Sequence, residues 1–411
     1  MDFSVSAARA DREAKRRARR RARRRAVVTS VGAAAGIAAL TAAWLTPPTL
    51  TPGQGEAPRA LWVGLTLPAP VPQPPQRLQT HLESLAQDFP GRAGIAVRDI
   101  QADWIAGHDL QTPYPQQSVS KLWVALTVLD AADQGTLSLD DPVVVRREDL
   151  SIFHQPIRDK VRLGPYRTRV ADLLESATTR SDNAANDVLM RLVGGPDEVR
   201  RLIEDKALGQ IGFADEERYF QTAIAGLEWR PDFSFGRTFW QARQAMPQEV
   251  RLAALESYLA APPDGAAPEA VVTALDRLAS GELLTPTATD HLLALMGASV
   301  TGPDRLAGGL AEGWSLAHKT GTGQVMGPRA TGYNDVGLLR APDGKTYAVA
   351  VMIAETTATV PERQALMQAV TRSVIAHHQG LDPAAPPTED FKFTPDQSRR
   401  AALDLRPVRS P

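Results

Sequence analysis

The stretch "NDVGLLRAPDGKTYAVAVMIAET", residues 334–356, has the pattern of two β-strands joined by a tight turn. Its central "PDGK" supplies the residues that a β-turn uses, because proline presets one backbone angle and glycine adopts positive φ freely. The runs on either side are rich in Val, Ile, Leu and Tyr, which favours strands. The stretch therefore predicts a hairpin near the C-terminal end of the chain.

Further strand patterns lie on both sides of a long helical region. "GRAGIAVRDI" at residues 91–100 alternates like a strand, and "QADWIAGHDL" at 101–110 fits as its hairpin partner. Residues 118–209 contain mostly helical patterns, several of which end on Gly. We therefore predict an α/β (α+β) fold. Its antiparallel sheet is built from both ends of the chain, flanked by helices, with an inserted all-helical lobe.

The first 45 residues combine a basic run with an apolar run. Residues 1–25 contain eleven Lys or Arg against three acidic residues, which leaves the rest of the chain at about −9. A basic run can bind nucleic acid, but residues 26–45 are twenty uncharged residues, long enough to cross a bilayer as a helix. Positive charge before an apolar span predicts a basic cytoplasmic segment and export of the residues beyond the span. We expect a membrane contact and a periplasmic or extracytoplasmic domain, with no nucleic-acid partner.

The apolar run at residues 26–45 fits either a retained transmembrane anchor or a removed signal sequence, since no clear cleavage site comes after it. Residues 46–76 contain nine prolines and predict an extended linker. The folded domain is expected at 77–380, followed by a flexible polar tail at 381–411. The chain has no cysteine, which excludes disulfides and thiolate catalysis.

Three short motifs carry the candidate chemistry. "QSVSKLWVAL" at residues 117–126 places Ser118 and Lys121 three apart at the start of an apolar helix, on one face. A serine hydroxyl needs a base, and a lysine can act as one when burial or a neighbouring cation lowers its pKa. The spacing alone is common on helix surfaces, so the interpretation depends on two later tripeptides. These are Ser181-Asp182-Asn183 and Lys319-Thr320-Gly321.

Together, these motifs resemble those of the penicillin-recognising serine enzymes, and of class A β-lactamases in particular. The resemblance extends to "GTLSLDDPV" at residues 135–143 and "SGELLTP" at 280–286. It implies a monomeric serine hydrolase that opens β-lactam rings through a Ser118 acyl-enzyme. It also implies that no cofactor and no metal are needed.

The resemblance also implies roles for the residues of the three motifs. Lys121 would be the base for Ser118, Ser181 would pass a proton to the leaving nitrogen, and Asn183 would bind the substrate's side-chain amide. The substrate carboxylate would be met by the third motif and its neighbour, namely Lys319, Thr320, Gly321 and Thr322. In this assignment Gly321 leaves the strand edge bare for the substrate. The backbone N–H groups of Ser118 and Thr322 would form the oxyanion hole.

The assignment of a deacylation base depends on a looser match. In "FADEERYFQTAI", residues 213–224, Glu217 and Gln221 occupy the places where class A enzymes carry a glutamate and an asparagine. Glu217 is either the base that activates water or a solvated charge. His154 stands where relatives often carry an aromatic gate, and its alternative role is structural. The aromatic insertion at residues 227–262 either packs onto the domain or forms a lid.

Two other functions share parts of this pattern. A carboxypeptidase or transpeptidase acting on the D-Ala-D-Ala end of peptidoglycan stem peptides would use the same acylation chemistry. A non-hydrolytic penicillin-binding sensor would keep the cleft for recognition alone. The intact Ser118 and Lys121 pair argues against a catalytically dead site.

Overall fold

The computed structural model describes residues 72–385. The α-helices of this range, α1–α12 in chain order, are Gln76–Asp88, Lys121–Asp133, Arg158–Val161, Val170–Thr179, Asn183–Val193, Pro196–Asp205, Glu217–Ile224, Thr238–Ala245, Gln248–Ala260, Pro268–Ala279, Pro286–Gly297 and Val360–His378. Its strands, β1–β10, are Gly91–Asp99, Trp104–His108, Tyr114–Pro115, Pro142–Val145, Tyr166–Arg169, Gly265–Ala266, Ser315–Thr322, Val325–Met326, Arg329–Arg340 and Thr346–Thr356.

The predictions for the two ends of the chain concern residues that lie mostly outside this range. The predicted basic segment at 1–25, the apolar run at 26–45, and most of the linker at 46–76 and of the tail at 381–411 lie outside the described residues. Within residues 72–385, no helix combines the length and the apolar character that a membrane span requires.

The main sheet draws its strands from both ends of the described chain, in the order β2-β1-β10-β9-β7, with β8 paired to β9. β9 and β10 form the predicted hairpin, with Arg340 opposite Thr346 beside the turn. β1 pairs antiparallel with β10 and with β2. The predicted fold class is therefore confirmed: an antiparallel sheet from both ends of the chain, flanked by helices.

Side chains alternate across the central strand β10 and separate two cores, as the two-residue period of a strand requires. One face of β10 packs with α1 and α12 through larger residues, namely Tyr347, Val349, Val351 and Ile353. The other face packs with α2 and α10 mainly through small residues, namely Ala348, Ala350, Met352 and Ala354. α2 is the centre of the inserted lobe, because residues 121–129 are all buried.

The inserted lobe is not purely helical, and that part of the prediction is wrong. Within residues 118–209, β4 pairs with β5 as a two-stranded antiparallel sheet. Outside that stretch, β3 pairs with β6 in the same way. β4 is the run "PVVV", whose β-branched residues favour strands, but its partner "YRTR" has no apolar alternation. Strands this short carry too little periodicity to be predicted from the sequence.

Asn334 on β9 fixes the segment that leads to Ser118. Its side-chain amide is buried and donates to the carbonyl oxygens of Pro115 at 2.7 Å and Gln116 at 3.0 Å. Its side-chain oxygen accepts from the backbone N–H of Ile353 on β10 at 3.1 Å. One amide therefore joins the sheet to the segment preceding the nucleophile.

This arrangement predicts the effect of Asn334→Asp. The substitution removes the donor and places a carboxyl group against two carbonyl oxygens. We expect the free energy of unfolding to fall by about 1–3 kcal/mol, the cost of leaving buried polar groups unpaired. Urea denaturation measures it, with the exposed amide-to-acid change Gln379→Glu as control. Equal stability of both variants would contradict this role of Asn334.

Candidate active site

Ser118 lies in the 3-10 turn Gln117–Ser120, which leads directly into α2. Lys121 is the first residue of α2, so its Nζ reaches the Ser118 Oγ at 2.8 Å. The Lys121 side chain is completely buried, whereas Ser118 is partly exposed to a cavity. The hydroxyl that a substrate can reach is therefore in contact with an amine that solvent cannot reach.

The same amine contacts a buried carboxylate. Lys121 Nζ forms an ion pair with Glu217 Oε1, and the Glu217 side chain is only 5% exposed. The alternative interpretation of Glu217 as a solvated charge is therefore wrong. The expectation that burial or a neighbouring cation prepares Lys121 did not include this carboxylate, which can exchange a proton with the amine.

Glu217 is held at the start of α7 by a buried acid and by an amide. Its backbone N–H donates to Asp187 Oδ1 at 2.7 Å, while Gln221 Nε2 donates to Glu217 Oε2 at 3.1 Å. Burial, followed by the charge of Glu217, raises the pKa of Asp187 to about 7. Gln221 therefore orients the carboxylate that it was expected to accompany.

The second and third motifs meet at Ser181 and Lys319. Lys319 Nζ donates to Ser181 Oγ and to the Thr320 carbonyl, both at 2.9 Å. Burial, reinforced by the charge of Lys121, lowers the pKa of Lys319 well below that of a free lysine. Asp182 of the second motif has a structural role, because it caps α5 by accepting from Ala185 N.

The edge strand β7 presents two hydroxyls to the cavity. Thr320 Oγ1 lies 2.7 Å from Thr301 Oγ1, and Arg305 donates to Thr322 Oγ1 at 2.6 Å. Thr301 and Arg305 also line the cavity, and the sequence analysis missed both because they belong to no motif. Arg363 does not line the cavity; it lies over the Tyr333 ring at 5.0 Å.

Close packing gives Gly321 a reason for being glycine besides the one predicted. A Cβ at Gly321 would lie 2.3 Å from the carbonyl oxygen of Gln116. The missing side chain therefore lets β7 approach the segment before Ser118, and Gly321 itself does not line the cavity. Its carbonyl accepts from Arg305 at 2.9 Å. The substrate contact assigned to its bare edge stays a prediction.

Asn183 and His154 line the opposite wall of the cavity. Asn183 Nδ2 donates to the Ile152 carbonyl at 2.8 Å, which fixes its amide oxygen. His154 is exposed, and its Nε2 lies 2.8 Å from the Arg180 carbonyl. The aromatic ring of this wall comes from the preceding residue, Phe153, which has a φ of 60°.

The cavity has a volume of about 520 Å³, within the range of small-molecule sites. Its lining brings together most of the predicted site residues, namely Ser118, His154, Ser181, Asn183, Glu217, Gln221, Thr320 and Thr322. Lys121 and Lys319 lie behind this lining. Lys121 Nζ contacts Ser118 Oγ, and Lys319 Nζ contacts Ser181 Oγ. Residues 72–385 contain no group of three or more His, Asp or Glu arranged to hold a metal ion.

Comparison with known proteins agrees with this arrangement. The model of the beta-lactamase enzyme family matches residues 77–378. The chain belongs to this family. The β-lactamase PER-1 of Pseudomonas aeruginosa is 28% identical over 63% of the chain and 74% of its own length. For VEB-1 of the same organism the values are 25%, 69% and 84%. A crystal structure of the TLA-1 extended-spectrum β-lactamase is 26% identical, with a TM-score of 0.61, and covers 73% of the chain and 97% of its own.

The resemblance to class A enzymes is thereby confirmed, and with it the prediction of a serine β-lactamase-type hydrolase. The carboxypeptidase, transpeptidase and sensor alternatives are not favoured.

In this β-lactamase-family domain a second buried network reaches the nucleophile from the insertion at residues 227–262. Gln117, with a φ of 52°, donates through its backbone N–H to Asp264 at 2.7 Å and through its side chain to the Tyr258 hydroxyl. Tyr258 in turn donates to Asp264 at 3.0 Å. Gln221 Nε2 donates to Gln117 Oε1 at 2.9 Å, which links this network to Glu217. No sequence motif marks Tyr258, Asp264 or Gln117.

Tyr258→Phe tests this network. The change leaves Gln117 Nε2 and one Asp264 oxygen unpaired in a buried place, which typically costs about 1–3 kcal/mol. We expect lower thermal stability and a slower release of the acyl group, because Gln117 orients Gln221. Calorimetry and stopped-flow deacylation measure the two effects, and Tyr219→Phe, at an exposed tyrosine of α7, is the control. A Tyr258→Phe variant with the control's deacylation rate would show that the network does not reach Glu217.

Proposed function

We propose that this domain hydrolyses β-lactams in two steps through an ester on Ser118. The observation that carries the proposal is the continuous contact from Ser118 Oγ to Lys121 Nζ to Glu217. A serine becomes nucleophilic only when a base takes its proton, and a covalent ester persists unless a second base activates water. In this contact, Lys121 takes the proton of the serine and Glu217 activates the water, and the two groups lie next to each other.

In the acylation step, Ser118 Oγ attacks the lactam carbonyl carbon. Its proton passes to Lys121 Nζ as Lys121 gives one to Glu217, so that the net acceptor is the carboxylate. The backbone N–H groups of Ser118 and Thr322 stabilise the oxyanion, and losing one such donor typically costs about 3 kcal/mol of barrier lowering. When the C–N bond breaks, the nitrogen takes a proton from Ser181, which Lys319 replaces across 2.9 Å.

After acylation, Glu217 gives up the proton that it received and Lys319 regains the one that it gave, which restores the carboxylate and the ammonium. In the deacylation step, Glu217 then takes a proton from a water molecule whose oxygen attacks the ester carbonyl. The bond to Ser118 Oγ then breaks, and the hydroxyl recovers its proton through Lys121. Gln221 keeps the carboxylate oriented by its hydrogen bond to Oε2. A buried base next to the ester favours hydrolysis over the long-lived ester of a transpeptidase or a sensor.

The ring carboxylate of the substrate meets the edge of β7. Thr320 and Thr322 offer hydroxyls, and Arg305, whose guanidinium touches Thr322 Oγ1, adds a second cation to Lys319. Asn183 faces this edge from the other wall and is placed to contact the side-chain amide. A flat β-lactam therefore lies between β7 and the helical lobe with its carbonyl over Ser118.

The function as a whole is tested by mixing residues 72–385 with a chromogenic cephalosporin and, separately, with a fluorescent penicillin. We expect catalytic turnover of the first and only transient labelling by the second. A lasting label without turnover would favour the transpeptidase or the sensor. Neither label nor turnover would end the proposal.

Glu217→Gln separates the two steps. The amide keeps the shape of the side chain but cannot accept a proton from water. We expect the Ser118 ester to accumulate, with the deacylation rate lowered at least about a hundredfold, the scale of general-base contributions. Intact-mass spectrometry after a short exposure to benzylpenicillin detects the adduct, and Glu228→Gln, at an exposed residue of the insertion, is the control. Turnover equal to that of the control would remove Glu217 from the mechanism.

The pH dependence of the reaction is set by Lys319. Its ammonium must be charged to hold the substrate carboxylate, and its pKa is lowered by burial and by Lys121. The group therefore loses its proton at a lower pH than a free lysine, so kcat/KM falls on the alkaline side below the ordinary lysine range. Bound carboxylate opposes this loss, which moves the inflection of kcat to higher pH.

Lys319→Arg provides the control for that profile, since a guanidinium stays charged throughout. Initial rates across the alkaline range, for both proteins, give the two inflections. We expect the alkaline limb of kcat/KM to disappear in the arginine variant. The same alkaline limb in both proteins would assign it to another group.

We further propose that the domain acts outside the cytoplasm and remains attached to the inner membrane through residues 26–45. The support is the basic run before an apolar stretch of twenty residues and the proline-rich linker after it. Cell fractionation with an antibody against the domain tests the location, and the size of the recovered chain distinguishes an anchor from a removed signal.

A further inference from the structure

The outer part of the cavity, beyond the reacting groups, has a wall that the mechanism does not use. We name it the outer subsite; its residues are Phe153, Trp240, Arg243 and Val325. Trp240 and Arg243 belong to α8 in the insertion, whereas Val325 begins β8. The insertion therefore contributes to the wall of the cavity as well as to the packing of the domain.

Two rings form the apolar part of the outer subsite. The centroids of Phe153 and Trp240 lie 5.6 Å apart with an angle of 36° between the rings. Buried Phe239 supports both, edge-on, at 5.0 and 5.2 Å. Trp240 is nevertheless 50% exposed. An exposed tryptophan held by a buried aromatic core is suited to stacking against a ring of the ligand.

Arg243 adds a cation without an acidic partner. Its Nη2 donates to the Val325 carbonyl at 3.0 Å, and its Cζ lies 5.8 Å from the centroid of the Trp240 ring. Its Nε is buried and has no hydrogen-bond partner. Within residues 72–385, no Asp or Glu oxygen is paired with Arg243, and burial together with Arg251 lowers its pKa. An anion placed here would relieve the unfavourable charge.

We propose that the outer subsite binds the acyl side chain of the β-lactam and selects side chains that carry an aromatic ring next to an anionic group. This inference rests on the proposed function and adds the substrate class. The ring would stack on Trp240, and the carboxylate or sulfonate would accept from Arg243.

The position of the subsite relative to β7 supports this orientation. Arg305 and Thr322 take the ring carboxylate at one part of the cavity, whereas Arg243 is bonded to Val325, farther along the same chain segment. The two cations are therefore attached to different parts of the β7–β8 edge. A dianionic β-lactam can be held by both, with its carbonyl over Ser118 between them.

Three penicillins that differ only in the acyl side chain test the charge selection. Benzylpenicillin carries a phenyl ring, carbenicillin adds a carboxylate beside that ring, and ampicillin adds an ammonium at the same carbon. We expect Arg243→Gln to lower kcat/KM for carbenicillin about tenfold, as for the loss of a charge-assisted hydrogen bond. For benzylpenicillin the change should stay within about twofold, and ampicillin should gain.

Two controls accompany these measurements. Arg237→Gln removes an exposed arginine of the same insertion that does not line the cavity and should change none of the three values. Trp240→Ala should weaken all three aryl penicillins several-fold but leave 6-aminopenicillanic acid, which lacks an acyl side chain, unchanged. Melting temperatures of each variant exclude misfolding as the cause.

The outcomes separate this inference from the proposed function. Hydrolysis of benzylpenicillin with no Arg243-dependent difference among the three penicillins would overturn the outer subsite and leave the proposed function intact. An Arg243-dependent preference for carbenicillin supports both. If none of the penicillins is consumed and Ser118 is never acylated, the proposed function itself fails, and the inference with it.

Discussion

The buried contact between Lys121 and Glu217 is the interaction on which the rest of the site depends. Either charge alone, removed from water, would destabilise the domain by several kcal/mol, and their attraction offsets this only in good geometry. That geometry requires α2 and α7 to stay fixed relative to each other. Asp187 on α5 contributes by accepting from the backbone N–H of Glu217 at 2.7 Å. The same contact therefore serves both catalysis and folding. Each of the two groups prepares the other for proton transfer, and each also offsets the free-energy cost of burying the other's charge.

The distribution of charge around this contact favours an anionic ligand. Lys319 and Arg305 stand at the same cavity as Lys121, while Glu217 is the carboxylate that lines it. This excess of positive charge disfavours the charged form of Lys319. The pKa of Lys319 is lowered mainly by burial and then by the charge of Lys121. A ligand carboxylate reverses the second effect by supplying the missing charge. The cations of the free site repel one another. An anionic substrate relieves this repulsion when it binds, and the relief contributes to the binding free energy.

The sequence was sufficient for the fold class, the main hairpin and the residues that lie in motifs. The β9–β10 hairpin is predicted by "PDGK" between apolar runs, and Ser118 with Lys121 by helical spacing. It was insufficient where a contact joins distant segments without a repeated pattern. Arg305 lies in a loop and donates a hydrogen bond to Thr322. Tyr258 is hydrogen-bonded to Gln117, which lies 141 positions earlier in the chain. For the same reason, the sequence could not decide whether Glu217 is buried. A run of charged residues has the same sequence pattern whether it lies on the surface or contacts a buried amine.

The insertion at residues 227–262 contributes to the site at two places. On its inner side, α9 packs Tyr258 and Leu255 against Phe220 of α7, the helix that begins with Glu217. On its outer side, α8 carries Trp240 to the rim of the cavity over the buried ring of Phe239. Because the inner side is buried and hydrogen-bonded, its residues tolerate little change. The rim has no such constraint, since Trp240 is half-exposed. Substitutions at the rim can therefore alter which acyl side chains bind while the packing that fixes the deacylation base remains the same.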